Sequence, residues 1–317
     1  MVNRLDWIAI PALAGIACAA CGSGAAGDST VSMTDGGSST HDASTAHDGN
    51  EGNDAERGDG GAVWVPTSAE PIHFHWQLST LFSDPGDVLP GKGLVVYDID
   101  GEENDAKAVA ALHALGSDVK VVCYVDVGTW ESERSDEASF PASLLGNPNG
   151  WPGEKWLDVR QQSILLPIMK TRFENWCLEK GFDAVEPDNL DAWENDPGFP
   201  ITEAENLSYD RAIAAMGHAM GLSMGLKNLP ENAPSLEPDF DWALDEQCYE
   251  YGECSYFETS FIAKGKAVWD VEYNQAPNCT EANAAHLNAQ ERDLNLVGPQ
   301  VKGYLYTPCV PDSQATW

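Results

Sequence analysis

The sequence predicts a single (β/α)8 barrel, and three observations predict it. Eight short apolar runs ending in polar or charged residues alternate with helix-like segments, with no run of consecutive hairpins. Such alternation implies a parallel sheet with right-handed crossovers, and eight units favour a closed barrel over an open doubly wound sheet. The stretch able to bury a core, 63–317, has roughly the 250 residues usual for that barrel. No Gly-rich phosphate loop follows any strand, which argues against a nucleotide-binding version of the fold.

The chain opens with segments outside that domain. In 1–21, Arg4 precedes an uncharged apolar run from Trp7 to Ala20, the form of a signal peptide and too short for a membrane span. Small residues before Cys21 and Gly22-Ser23 after it resemble a bacterial lipoprotein cleavage site, with Cys21 as the lipid-bearing residue. Cys18 stands where a leucine is usual, so ordinary secretion with cleavage nearby, or Cys18 as the anchored residue, are the alternatives. The expectation is an exported protein, either a cell-envelope lipoprotein or secreted, that meets the membrane only through an N-terminal lipid. Residues 22–62 are Gly, Ser, Thr, Asp, Asn and Ala with almost nothing apolar. They cannot bury enough surface to offset ordering entropy, which predicts a disordered tether.

Within the domain, Ile72–Leu78 (IHFHWQL) alternates like a first strand and carries Trp76 near its end. Gly93–Asp100 (GLVVYDID) closes on Asp98 and Asp100, and Asn104–Leu115 follows as a helix. Val119–Thr129 (VKVVCYVDVGT) repeats the pattern, ending with Tyr124, Asp126 and Gly128. A longer connection rich in Trp, Pro and Gly leads to a helix over Val159–Lys180. The fourth strand lies in Gly181–Trp193 (GFDAVEPDNLDAW), where the apolar segment Phe182–Val185 delivers Glu186, Asp188 and Asp191 at its C-terminal end. Pro187 lacks a backbone N–H, so the strand should break up by Asp188. Tyr209–Gly221 is a helix, and Leu222–Leu229 (LSMGLKNL) a strand ending in Lys227 and Asn228. Phe240–Cys248 (FDWALDEQC) ends in Asp245, Glu246 and Gln247. A helix over Tyr256–Lys264 precedes Ala267–Asn274 (AVWDVEYN), which ends in Glu272, Tyr273 and Asn274. A last helix near Glu281–Asn288 leads to an eighth strand over Val301–Thr307 (VKGYLYT).

Six cysteines remain in the domain, and an even number in an exported chain implies three disulfides out of fifteen possible pairings. Cys248 with Cys254 closes a local loop; Cys279 with Cys309 would tie the C-terminal region, leaving Cys123 with Cys177. The spacings match no standard zinc finger or ribbon and no histidines cluster with them, so no metal is expected.

The net charge is −34, from 51 acidic against 17 basic residues. Such a surface repels phosphate backbones, which excludes nucleic acid as a partner. It suits either solubility outside the cell or a cationic ligand. Oligomeric state is not readable, and a monomer is the default.

The polar residues gather at strand ends: Asp98, Asp100, Tyr124, Asp126, Glu186, Asp188, Lys227, Asn228, Glu246, Glu272 and Asn274. In a barrel these meet on the C-terminal rim, where barrel chemistry sits. Any strand-to-loop junction is polar, and Asp or Asn also caps helices, which accounts for one of Glu186, Asp188 and Asp191 but not all three. Carboxylates with rim aromatics (Trp76, Tyr124, Trp193, Tyr249, Tyr273) point to a sugar site. Trp76 fits equally a stacking platform and the barrel core. Glycoside hydrolysis needs two carboxyl groups flanking one bond, from different strands, and the best pair is one acid of the Asp188 strand with Glu246.

At these residues the sequence resembles glycoside hydrolase family 114, the endo-α-1,4-polygalactosaminidases. The resemblance rests on WQLS at Trp76, VVYDID at Val95, CYVDVGTWE at Cys123, GFDAVEPDNLD at Gly181, Lys227-Asn228 and DEQCYEYGEC at Asp245, across 70–310. It implies endo-hydrolysis of α-1,4-linked galactosamine in exopolysaccharide, without a cofactor. It places the catalytic Asp at Asp188 and the catalytic Glu at Glu246, Asp191 being more plausibly a loop or cap residue. On that reading Asp98, Asp100, Asp126, Glu186 or Glu272 pair with ammonium groups of a cationic or partly acetylated galactosamine polymer. Lys227 keeps Asp188 ionised, and Glu246 is the proton donor, raised by neighbouring negative charge. A retaining course with Asp188 as nucleophile is favoured by resemblance. A surface-anchored barrel that binds polysaccharide without turnover, and a hydrolase or lyase of another polysaccharide, are the alternatives.

Overall fold

The computed structural model describes residues 63–81 and 95–317. The expected signal peptide, the lipid on Cys21, the tether over 22–62 and the start of the second strand at Gly93 lie outside the described residues. No helix among the described residues is long and apolar enough to cross a membrane.

Twelve strands are described: β1 (His73–Gln77), β2 (Val95–Asp100), β3 (Val119–Asp126), β4 (Thr129–Glu131), β5 (Leu145–Pro148), β6 (Glu154–Leu157), β7 (Ala184–Asp188), β8 (Ser223–Lys227), β9 (Trp242–Glu246), β10 (Val268–Glu272), β11 (Asn288–Arg292) and β12 (Tyr306–Pro308). Eight of them, β1-β2-β3-β7-β8-β9-β10-β11, run parallel in that order, and β12 pairs antiparallel with β11. The ring closes between β1 and β11 through side chains and flanking loops. Ile72 N donates to Asn288 Oδ1 at 2.7 Å, Leu78 N to Leu296 O at 3.1 Å, and Arg292 to Trp76 O. The long connection after β3 folds into a separate antiparallel sheet, β4-β6-β5.

Alternation along each strand divides the core into two layers. Phe74, Trp76, Val96, Val122, Ala184, Trp242, Leu244, Trp269 and Val271 fill the barrel. Their neighbours Val95, Tyr97, Val121, Cys123, Val185, Met224, Ala243 and Val268 face outward, in the layer that also holds the buried faces of helices α1 (Ala106–His113), α2 (Gln162–Arg172) and α3 (Glu203–Ala219). Gly225 is required inside, because a Cβ there would lie 2.3 Å from the Trp242 ring. Helix starts follow local chemistry: Asp105 accepts from Lys107 N and Ala108 N to begin α1, and Thr202 with Glu205 forms a capping box for α3. Four short helices complete the loops: α4 (Ala233–Leu236), α5 (Cys248–Tyr251), α6 (Cys254–Thr259) and α7 (Cys279–Ala285).

Two expectations need correction. The eighth barrel strand is Asn288–Arg292, not 301–307, and the helix expected to reach Asn288 stops at Ala285, with His286 left-handed at φ 61°. Polar residues hide this strand. Asn288 and Arg292 spend their side chains on β1, at Ile72 and Trp76, so the segment lacks an apolar signature. All three expected disulfides are present. Cys123–Cys177 fastens β3 to the turn after α2, Cys248–Cys254 clasps the loop after β9, and Cys279–Cys309 ties α7 to the C-terminal segment.

Candidate active site

The alternation that fills the barrel also selects which strand-end side chains meet. Continuing the inward positions places Asp98 and Asp100, Tyr124 and Asp126, Glu186 and Asp188, Lys227, Glu246 and Tyr273 toward the barrel axis. Asp245, Asp270 and Glu272 have the opposite parity and lie behind the wall.

At the rim one ammonium group joins two carboxylates. Lys227 Nζ lies 3.1 Å from Asp188 Oδ1 and 2.6 Å from Glu246 Oε2. These two distances put Asp188 Oδ1 and Glu246 Oε2 at most about 5.7 Å apart. Each carboxylate is also held by a phenol: Tyr124 OH donates to Asp188 Oδ2 at 2.9 Å, and Tyr273 OH donates to Glu246 Oε1. Asn189 N donates to Asp188 Oδ1 at 2.9 Å, and Asn228 Nδ2 to Glu246 Oε2 at 3.3 Å. Asn228 Oδ1 in turn accepts from Glu246 N at 3.0 Å.

The backbone is strained at the same three places. Asn189, Asn228 and Gln247, the residues directly after Asp188, Lys227 and Glu246, are all left-handed, at φ 60°, 54° and 67°. This conformation costs a non-glycine residue of order 1–2 kcal/mol, and such strain collects at functional sites. Here it turns each loop sharply away and leaves the preceding charged side chain at the mouth. Asn tolerates the conformation, which explains two of the three amides.

Burial alone would lower the Lys227 pKa, but the Asp188, Glu246 and Glu186 charges overcome it and hold the ammonium well above the usual lysine range. The charge facing Glu246 is thus a cation, whereas neighbouring negative charge was expected from the sequence. Beneath the rim, Trp76 Nε1 donates to Glu186 Oε2 at 2.9 Å, and Lys227 Nζ sits 5.4 Å over the Trp76 ring. Glu186 is pushed well above the ordinary carboxyl range by burial and the Asp98 charge; Asp98 is pushed up to about 8 by burial.

Several residues expected to touch a ligand have other work. Trp76, Asp98 and Glu186 are buried under the site, so Trp76 is core rather than a sugar platform. Asp100 pairs with Arg134 at 2.7 Å. Asp126 is saturated by Gly128 N, Thr129 and Asn189 Nδ2, so it ties the β3 and β7 loops together. Glu272 accepts from Tyr249 N at 2.8 Å and so caps the start of α5 from outside the barrel. Asn274 is exposed and bonds Glu250. Asp191 starts the short turn Ala192–Glu194, and burial followed by the Asp188 charge raises it. The group brought together at the mouth is Asp188, Lys227, Asn228 and Glu246, with Tyr124, Tyr273 and Asn189 around them.

Sequence reasoning named Tyr273 only as a rim aromatic and passed over Glu131 and Glu154. Tyr273 was findable, since it keeps the inward parity of Trp269 and Val271. Glu131 and Glu154 face each other across β4 and β6, and nothing in a Trp- and Gly-rich loop foretold that sheet. Glu154 is pushed up to about 7 by burial, with the Glu131 and Asp188 charges adding to it. Asp245, Cys248 and Asp270 form a compact group, but the Cys248 sulfur is bonded to Cys254, which leaves no thiolate for a metal.

Two acids from different strands, held within bonding reach of one cation at the C-terminal mouth of a parallel barrel, form the arrangement that sugar hydrolysis needs. Comparison with known proteins agrees. The model of glycoside-hydrolase family GH114 matches residues 54–307. The crystal structure of Aspergillus fumigatus Ega3 in complex with galactosamine is similar at 31% identity and a TM-score of 0.65, covering 75% of this chain and 96% of that one. The glycoside hydrolase domain of PelA from Pseudomonas aeruginosa shares the fold, at 14% identity and a TM-score of 0.50, over 73% of this chain and 97% of that one. An uncharacterized protein of Deinococcus radiodurans is 25% identical over 221 residues, 62% of this chain and 70% of its own length. The family match over most of the chain, with a solved relative covered almost entirely, establishes that this chain belongs to glycoside-hydrolase family GH114 and is a glycosidase.

Proposed function

We propose that the protein is an endo-acting hydrolase of an α-1,4-linked galactosamine exopolysaccharide, working with retention through Asp188 as nucleophile and Glu246 as acid and base. The observation that carries this reading is the shared Lys227 ammonium, which keeps the two carboxyl oxygens within about 5.7 Å, close to the roughly 5–5.5 Å of retaining enzymes. In the first step Asp188 attacks the anomeric carbon while Glu246 gives its proton to the departing oxygen. In the second, Glu246 takes a proton from water, whose oxygen displaces Asp188. Lys227 Nζ, 3.1 Å from Asp188 Oδ1, faces the charge that Asp188 brings to the attack and regains when water displaces it.

The galactosamine named with the Ega3 structure supports an amino-sugar substrate, as does the net charge of −34, which attracts a polymer carrying ammonium groups. Export with a lipid on Cys21 and a tether over 22–62 belongs to the same proposal: an enzyme held at the cell surface beside an extracellular polymer. The test is oligosaccharide release from partly deacetylated α-1,4-galactosamine polymer, read by mass spectrometry, for wild type, Asp188→Asn and Glu246→Gln. Products from wild type alone support the proposal. Binding without products would point to a non-catalytic barrel, and neither binding nor products would make the substrate wrong.

A further inference from the structure

Tyr273 lies one residue beyond β10, with the inward parity of Trp269 and Val271. Its ring packs against the cluster of Trp76, Trp242 and Trp269 that fills the barrel. The phenol is therefore mounted on the rigid core rather than on a loop, and it donates to one oxygen of Glu246, Oε1. The other oxygen, Oε2, faces Lys227 Nζ at 2.6 Å, and through it Asp188. The neighbouring loop is fixed independently, by Glu272 holding Tyr249 N and by the Cys248–Cys254 disulfide. The two oxygens of Glu246 are thus chemically distinct.

We infer that Tyr273 is the positioning residue of the acid/base carboxyl: it occupies Oε1 with a donated hydrogen bond, so that the transferable proton resides on Oε2, the oxygen on the Asp188 side. This rests on the role of Glu246 proposed above. In the free enzyme Oε2 accepts as well, from Lys227 Nζ at 2.6 Å and Asn228 Nδ2 at 3.3 Å, so the distinction is one of place: Oε1 is turned to Tyr273, whereas Oε2 faces the Asp188 side and is the oxygen a sugar seated between the two acids meets. On cleavage the Oε2 proton passes to the glycosidic oxygen, the bonding pair of the broken C–O bond stays with that oxygen, and Asp188 forms the new bond to the anomeric carbon. Glu246 is left as a carboxylate with the Tyr273 bond intact, ready to accept the proton of the incoming water on the same oxygen. Without the phenol the carboxyl can place its proton on either oxygen and turn about its last bond, and productive geometry is lost.

Tyr273→Phe keeps the ring and removes only the hydroxyl. The test compares two substrates: the galactosamine polymer, whose leaving group needs a proton, and a dinitrophenyl glycoside of a galactosamine oligomer, whose leaving group does not. The expected result is a fall in kcat of about 10–100-fold on the polymer, a part of the 10²–10⁴ that general acid catalysis supplies, with KM little changed. On the dinitrophenyl substrate the fall should be under about threefold in the first, bond-breaking step, measured as the burst of dinitrophenol. A fold defect would slow both substrates alike, and equal losses would overturn the inference, as would full activity on the polymer. Because a weakened variant can mislead, the thermal melt of Tyr273→Phe is compared with that of wild type by circular dichroism, and both substrates are assayed at a temperature where the two proteins are fully folded. If wild type cleaves neither substrate, the galactosamine-polymer reading falls and this inference with it; if wild type cleaves both and only the Tyr273 comparison fails, the proposed function stands.

Discussion

Replacing Lys227 by Met removes a charge and little volume, and the structure sets the size of the consequence. The Lys227 side chain is 3% exposed and lies between two acids whose side chains are only 19% and 23% exposed. Removing one partner of a buried ion pair costs about 3–5 kcal/mol, because it leaves uncompensated charge behind. The partial exposure of both acids and the hydrogen bonds from Tyr124 and Tyr273 place this case near the lower end, about 3 kcal/mol. For a domain of this size that is a fall in Tm of about 6–12 °C. The pH dependence gives the sharper discrimination. In the variant two carboxylates face each other with no cation between them, so one has its folded pKa raised above its unfolded value. Its ionisation then disfavours the fold, so the deficit grows as pH rises above about 4 and shrinks below it, where the unfolded chain also holds the proton. Wild type and Lys227→Met are melted at pH 4 and pH 7.5 by circular dichroism. A deficit at pH 7.5 that largely disappears at pH 4 is expected. Equal deficits at both values, or none, would refute the idea that Lys227 neutralises this pair.

Other outcomes follow from the same geometry. Glu154→Gln should raise Tm by about 2–4 °C at pH 8.5 and leave it unchanged near pH 4.5, since a carboxyl pushed up to about 7 opposes folding as pH rises through that value; a lower Tm at pH 8.5 would contradict this. Gly225→Ala forces a methyl into the Trp242 ring and should cost about 1–3 kcal/mol in urea unfolding. An unchanged midpoint would mean that Trp242 has room to move. Replacing Cys279 and Cys309 together by Ser opens a link spanning 30 residues and should cost about 3–4 kcal/mol while sparing turnover of the folded enzyme at 25 °C. Loss of turnover in protein that is still folded would place the C-terminal segment in the site.

The barrel was legible because seven of its eight parallel strands carry apolar runs with a change of polarity at the end. The eighth escaped because Asn288 and Arg292 spend their side chains on closing the ring, which erases the apolar signal. At the mouth, strand-end position identified the region of Asp188, Lys227 and Glu246, but it did not separate inward from outward acids. Strict parity does: Glu186 and Asp188 share the inner face with Ala184, while Glu272 sits behind it and Tyr273 turns in. Depth along the strand matters as much as parity. Trp76, Asp98 and Glu186 point inward one layer too low, where they form a buried polar floor under Lys227 instead of a sugar-binding surface. The Asn after each of Asp188 and Lys227 was a readable sign of a left-handed turn, whereas Gln247 after Glu246 was not. Glu131 and Glu154 were not readable, because they converge through a sheet built by a long loop whose pairing no local pattern announces.

The most direct measurement is the anomeric configuration of the first product released from the α-linked galactosamine polymer, followed by proton NMR before mutarotation. The placement of Asp188 and Glu246 about Lys227 predicts that the α-anomer appears first and the β-anomer grows in later. A β-anomer as the initial product would mean inversion, and would contradict Asp188 as a nucleophile that bonds the sugar.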